Sequence, residues 1–181
     1  MSDLSAVSGT WVIDPSHTTL GFQVRHAMIA KVRGSFDEFS GSFTIDGANP
    51  ASSTAELTIQ TASINTNNAD RDGHLKSPDF FDVEKNPVIT FTSTGVEVKG
   101  DDIIVTGDLT INGVTKSVPV KYELTGTSVD PWGNTRVGFE GEAKINRKDF
   151  GLTWNAALET GGVLVGEDIK LAIDVEAIKQ A

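Results

Sequence analysis

The chain has 181 residues, 38% of them hydrophobic, with 15 basic against 25 acidic side chains and a formal charge of −10. That length is one domain, and counting the 18 glycines brings the apolar share into the globular range of about 45–50%, which excludes a disordered chain. The acidic balance excludes nucleic-acid binding by phosphate neutralisation, and the absence of cysteine excludes disulfides, thiolate metal sites and cysteine nucleophiles.

The opening, MSDLSAVSGTW, carries an early acid and no apolar stretch behind a basic start. No secretory signal is read there, and a cytoplasmic location is expected. No run approaches the ~18 consecutive apolar residues of a membrane span. Period-two alternation dominates the rest of the chain. From Thr19 to His26, Leu20, Phe22, Val24 and His26 share one face, with Gly21, Gln23 and Arg25 on the other. A run at 41–46 ends in the turn signal Asp46-Gly47, and Ala55, Leu57 and Ile59 then alternate with Glu56, Thr58 and Gln60.

Residues 65–82 (NTNNADRDGHLKSPDFFD) break the pattern. Asn68 or Asp70 is placed to cap a short helix near residues 68–76, with Pro78 stopping it. Runs at 88–93, 96–99 and 103–111 come next, and Asn112-Gly113 is the strongest hairpin signal in the chain. Beyond it Val118, Val120, Tyr122 and Leu124 share a face. Past the DPWGN turn at 130–134, so do Val137, Phe139, Gly141, Ala143 and Ile145. Ile169, Leu171, Ile173 and Val175 complete the series. One dry and one wet face per strand specify an all-β, antiparallel protein of eight or nine strands. Patterning permits a sandwich or a barrel. The long alternations around Phe22 and Phe139 suit tilted barrel strands, and closure removes exposed edges, which favours the barrel with the charged helix over one end.

Several residues invite a chemical reading. His26 falls in phase with Leu20, Phe22 and Val24, so its imidazole is expected inside, as a bonded structural group or as a polar anchor in a cavity. Between Pro15 and Gly34 there is no acid, while Arg25, Lys31 and Arg33 form a positive island, either a solvated strand or a seat for an anionic head group. Asp70 and His74 are four apart on the predicted helix, but no further ligand of metal spacing accompanies them. Arg71 is read instead as docking the helix through a neighbouring carboxylate. No G-x-S-x-G, HExxH, dinucleotide or Walker motif is present. Small inward residues, Gly141, Ala143 and Ala55, are read as leaving room for a slender ligand.

The order of motifs resembles the YceI-like family. It shows in Trp11–His17 (WVIDPSH) leading to Phe22–His26 (FQVRH) and in Val32–Phe36 (VRGSF). Ser63–Thr66 (SINT), Arg71–Asp82 (RDGHLKSPDFFD) and Pro87–Phe91 (PVITF) come after these. Gly107–Lys116 and Asn146–Leu152 (NRKDFGL) complete it. The resemblance spans residues 9–178, leaving 1–8 and 179–181 as tails. It implies an eight-stranded, extended lipocalin-like barrel holding a polyisoprenoid, an isoprenoid quinone or a similar long-chain lipid. Family members are often homodimers, many are exported, and no shared enzymatic activity is agreed. On this reading Phe22, Val24, His26, Phe36, Phe43, Phe91, Phe139 and Trp154 line the cavity, while Arg25, Arg71, His74 and Leu75 hold or cover the polar end. No catalytic residue, metal or cofactor beyond the bound lipid is expected. Two readings from other classes stand beside it: an enzyme using His26 as general base on an apolar substrate, and a ligand-free module whose acidic surface meets a partner protein.

Overall fold

Each alternating run becomes a strand of one antiparallel sheet. The structure, a computed structural model, describes residues 3–156, 158 and 164–181. The segments are β1 (Gly9–Ile13), β2 (Thr19–His26), β3 (Ala30–Phe36), β4 (Phe39–Ile45), β5 (Thr54–Gln60) and β6 (Ile64–Asn65). Helix α1 (Ala69–Lys76) precedes β7 (Val88–Lys99), β8 (Asp102–Ile111), β9 (Val114–Val129), β10 (Thr135–Asn146) and β11 (Asp168–Lys179). Neighbours run β1-β4-β5-β7-β8-β9-β10-β11, and β11 pairs back onto β1 through Val12↔Ile178 and its flanking residues. The result is a closed, eight-stranded antiparallel barrel, the alternative that strand length and edge closure favour over a sandwich and that the family resemblance implies.

One wall of this barrel is interrupted. A 3-10 turn at Pro15–His17 separates β1 from β2, started by the Asp14 carboxylate, which accepts from the Ser16 N–H at 3.0 Å. Both halves lie on the same edge of β11, β1 near Ala177 and β2 nearer Leu171. Beyond the ring, β2, β3 and β6 continue the wall upward, and α1 comes after β6 over the upper end. The runs read at 88–93 and 96–99 are one strand. A bulge between Ser93 and Gly95 shifts the phase, which is why alternation alone divides them. Helix α1 starts where expected: the Asn68 side chain accepts from the Arg71 N–H.

Two apolar clusters fill the ends. The lower one joins Leu4, Val7, Trp11, Ile45, Val137 and Ala177. Trp11 is 1% exposed, and its indole Nε1 donates to the Val7 carbonyl at 2.9 Å. Residues 1–8, expected as a tail, therefore include Leu4 and Val7 as a plug, a packing that a short stretch without periodicity does not reveal. The upper cluster joins Ile89, Leu109, Val118, Phe150 and Leu152.

Candidate functional site

Between the two clusters lies a cavity of about 210 Å³. Phe22 and Leu20 from β2, Phe36 from β3, Phe43 from β4, Phe91 from β7 and Phe139 from β10 all line it, together with aliphatic residues of β5, β8, β9 and β11. Among the described residues, no lysine, arginine or histidine is in its wall. The one charged residue there, Glu56, occupies an outward position of β5 between Ala55 and Leu57. The five phenylalanines anticipated as lining residues thus meet in one apolar chamber. Phe22 and Phe36 mark its upper limit, their ring centroids 5.6 Å apart, and Phe81 from the turn after α1 meets Phe36 at 6.0 Å.

The chamber does not arise as the small residues implied. A Cβ on Gly141 would collide with the Tyr122 ring, and one on Gly107 with the Phe91 ring. Gly34 stands in the same relation to Phe22. Aromatic rings close in on these bare stretches of backbone, so each glycine seats a ring instead of leaving a void. Ala143 packs into the upper cluster, while Ala55 does face the chamber.

Tyr122 brings a phenol to the wall. Its ring touches both clusters, and its hydroxyl has no hydrogen-bond partner among the described residues. Desolvation raises its pKa from the usual 10.0 to about 12. A raised phenol pKa adds stability that is complete below the unfolded value and is lost as pH rises through the folded one. Because Tyr122 is the only tyrosine, the ultraviolet tyrosinate band reports it alone. In an alkaline titration that band is expected to stay flat past pH 10 and to rise only towards about 12. A midpoint at the ordinary value would mean that the ring is not buried.

Above the chamber the decisive side chain is Arg147, 3% exposed. Its guanidinium donates to the carbonyls of Leu152 (2.6 Å), Trp154 (2.9 Å), Val165 (3.1 Å) and Gly166 (2.7 Å). Desolvation lowers its pKa, yet an arginine starts so high that it remains charged. Five donors in a rigid fork bind two backbone segments at once, which lysine cannot do. Trp154, expected in the cavity, instead lies over α1, 4.6 Å from the His74 ring and 5.4 Å from Phe80.

The remaining anticipated residues fall outside the chamber. His26 is exposed at the end of β2, and Val24, paired with Val32, is half-buried above the cavity. Alternation assigns both to the correct side of the strand, but β2 projects past the chamber, so side and depth part company. Arg25 is exposed beside them. Arg71 does dock its helix, but through the Thr66 hydroxyl (2.8 Å) and carbonyl (2.7 Å) instead of a carboxylate. His74 bonds to Asp79 at 2.9 Å and meets Phe80 and Trp154 edge to face, and Leu75 is half-buried in the same helix. None of the three reaches the cavity wall. Sequence reasoning names Tyr122 only as a strand residue, and Arg147 and Phe81 only as parts of motifs.

A second cluster, Asp14, His17 and Glu176, has metal-like spacing. Arg136 already holds it: Nη1 lies 2.8 Å from Asp14 and 3.8 Å from Glu176, while Nε reaches Asp130 at 2.9 Å. The group is an ion-pair knot tying the β1–β2 turn to β10 and β11. Hydrogen bonds from Arg136 first, then Ser16 and His17, hold the Asp14 carboxyl well below the usual range. Its stabilisation is therefore present above the unfolded value near ~4 and is lost as pH falls through the folded one. Arg136→Met is expected to lower the melting temperature at neutral pH, with the deficit shrinking below about pH 4. A deficit that is constant across that range would contradict the linkage.

The comparisons with known proteins agree with this geometry. The YceI-like domain model matches residues 11–177. Protein YceI of Escherichia coli O17:K52:H18 is 43% identical over 178 residues, covering 97% of this chain and 90% of that protein. Among solved structures, Burkholderia cenocepacia BcnA superposes with a TM-score of 0.79 at 23% identity, over 91% of this chain and 98% of that one. A polyisoprenoid binding domain from Saccharophagus degradans gives 0.68 at 19% identity, over 94% and 98%. By sequence and by its barrel, the chain belongs to the YceI-like family.

Proposed function

We propose that the barrel holds a long, slender apolar chain, such as a polyisoprenoid, an isoprenoid quinone or a similar lipid, and carries or stores it without altering it chemically. The observation that carries this reading is the apolar chamber enclosed by five phenylalanines, with no basic side chain among the described residues of its wall. At about 210 Å³ it is smaller than the ~300 Å³ at which pockets for drug-sized ligands begin, so it encloses a few units of such a chain. Burial gains about 0.8 kcal/mol per CH₂, hence roughly 3–4 kcal/mol gross for a five-carbon unit, and a few units outweigh any one polar contact. The fold likeness to a polyisoprenoid binding domain points the same way. His26 lies away from the chamber, which removes the geometry for a general base acting inside it. Mass spectrometry of organic extracts of the purified protein tests the proposal. An apolar chain recovered in proportion to protein supports it; repeated absence of one, together with failure to take up an apolar dye, overturns it.

The Tyr122 hydroxyl adds a preference within that class. An unpaired donor in an apolar chamber favours a chain bearing a neutral acceptor, since a site built around a donor discriminates against ligands that leave it unpaired. Tyr122→Phe is expected to weaken binding of a long-chain ketone or quinone about tenfold and to leave a hydrocarbon of equal length unaffected. Equal losses for both would remove Tyr122 from recognition.

A further inference from the structure

The hairpin joining β2 and β3 plays no part in the chamber. At its tip Ala27 and Met28 adopt left-handed backbone, with φ of 51° and 60°. That region is uncommon for residues bearing side chains and accompanies functional constraint. The turn presents two large apolar side chains to solvent, Met28 at 61% and Ile29 at 82% exposure.

The charges behind the tip are sorted. On the outer face, strand register sets Lys144 beside Lys170, Lys170 beside Gln23 and Gln23 beside Arg33, with Arg25 opposite Lys31 one row nearer the tip. Farther from the tip, Glu123, Glu140 and Asp174 form a row of acids. Lys144 pairs with Asp168 at 3.2 Å, whereas Lys31, Arg33 and Lys170 enter no ion pair among the described residues. Like charges held directly across a strand pair weaken it, so Arg25 facing Lys31 is a local cost, set against one long bond from Arg25 Nη1 to the Ile29 carbonyl at 3.4 Å. In a chain of net charge −10, unpaired cations gathered behind two bare apolar side chains match a partner that is anionic at its surface and apolar beneath. A convex tip of two residues offers no broad flat face of about 800 Å², the size of one side of a protein interface. It suits a medium that deforms around it.

We propose that this hairpin docks the barrel on an anionic lipid bilayer, with Met28 and Ile29 entering below the head groups and Arg25, Lys31 and Arg33 at the level of the phosphates. The docked end is the end that Arg147 organises. The Ala27 N–H donates to the Leu164 carbonyl at 2.7 Å and the Gly166 N–H to the Arg25 carbonyl at 2.8 Å. Arg147 in turn holds the carbonyls of Val165 and Gly166. If the chamber carries a lipid, as the proposed function has it, docking sets its aromatic end against the lipid source. The docking itself does not depend on that reading.

Co-sedimentation with vesicles of phosphatidylcholine alone, and of phosphatidylcholine and phosphatidylglycerol in equal parts, tests the proposal. The protein is expected to bind the mixed vesicles, not the neutral ones, and to be released by high salt. Ile29→Glu is expected to weaken binding by about tenfold or more. Lys31→Ala with Arg33→Ala is expected to weaken it about 25-fold, from roughly fivefold per basic residue. Because all three side chains are surface groups, melting temperatures should not fall. No binding to either vesicle, equal binding to both, or undiminished binding by Ile29→Glu overturns the proposal. So does a dimer that Ile29→Glu splits into monomers, which would make the tip a contact between copies. Selective vesicle binding by a protein whose extracts hold no apolar chain would support the docking while overturning the carrier reading.

Discussion

Replacing Arg147 with methionine is expected to destabilise the protein by about 3 kcal/mol and to free Trp154 from its place over α1. The magnitude comes from the carbonyls left behind. Leu152, Trp154 and Gly166 each lose their guanidinium donor, at roughly 1 kcal/mol or more per buried acceptor. The Val165 carbonyl keeps a second donor in Asn155 Nδ2 at 2.8 Å and adds less. Arg147→Lys retains the charge but not the fork, so it should recover only a minority of the loss. Urea unfolding measures the stability, and tryptophan fluorescence reports the local change, because Trp154 packs edge to face on His74 while Trp11 stays buried and Trp132 exposed elsewhere. A loss under about 1 kcal/mol with unaltered fluorescence would show that the four hydrogen bonds do not hold the upper end together.

Ala55→Trp carries the second large effect. Ala55 faces the chamber from β5, opposite Phe43, and an indole there occupies the lumen. Excluding even one five-carbon unit removes about 3–4 kcal/mol of burial, a loss of several-hundred-fold in affinity for a long chain. Overpacking is expected to lower stability as well, by about 1–3 kcal/mol. Thr58→Trp supplies the contrast, since the same side chain on the outer face of the same strand leaves the lumen open. Affinities measured with a long-chain fluorescent lipid should differ between the two variants by that several-hundred-fold factor. Equal affinities would mean that the chain binds somewhere other than the barrel interior.

Which features are legible in the sequence depends on which interactions are local. Alternation is local, so the inward faces of β2, β5, β9, β10 and β11 and the Asn68 cap can all be read. Depth along the barrel axis is not local. His26 and Val24 obey the alternation of Phe22, yet their strand outruns the chamber, because its position is fixed by pairing with β11, far away in the chain. Tyr122 and Gly141 illustrate the same limit from the inside. Each is visibly inward, but only the β9–β10 register sets the ring over the glycine and turns an expected void into a filled wall. Arg147 is hidden for another reason. Its partners are backbone carbonyls, which every residue has, so no side-chain pattern announces them. Leu4 and Val7 escape because a plug of two residues has no period.

The joint between β1 and β11 has a consequence for how the molecule is assembled. These are the first and last strands of the ring, whose other neighbours lie nearer to one another along the chain. Their pairing therefore demands the largest loop closure in the chain and delivers its stabilisation last. During synthesis the sheet can form strand by strand, but it remains an open ribbon with two unsatisfied edges until β11 is made. Throughout that interval the same edges that the finished barrel conceals are available to other chains, so the period before closure is when this protein is most exposed to aggregation.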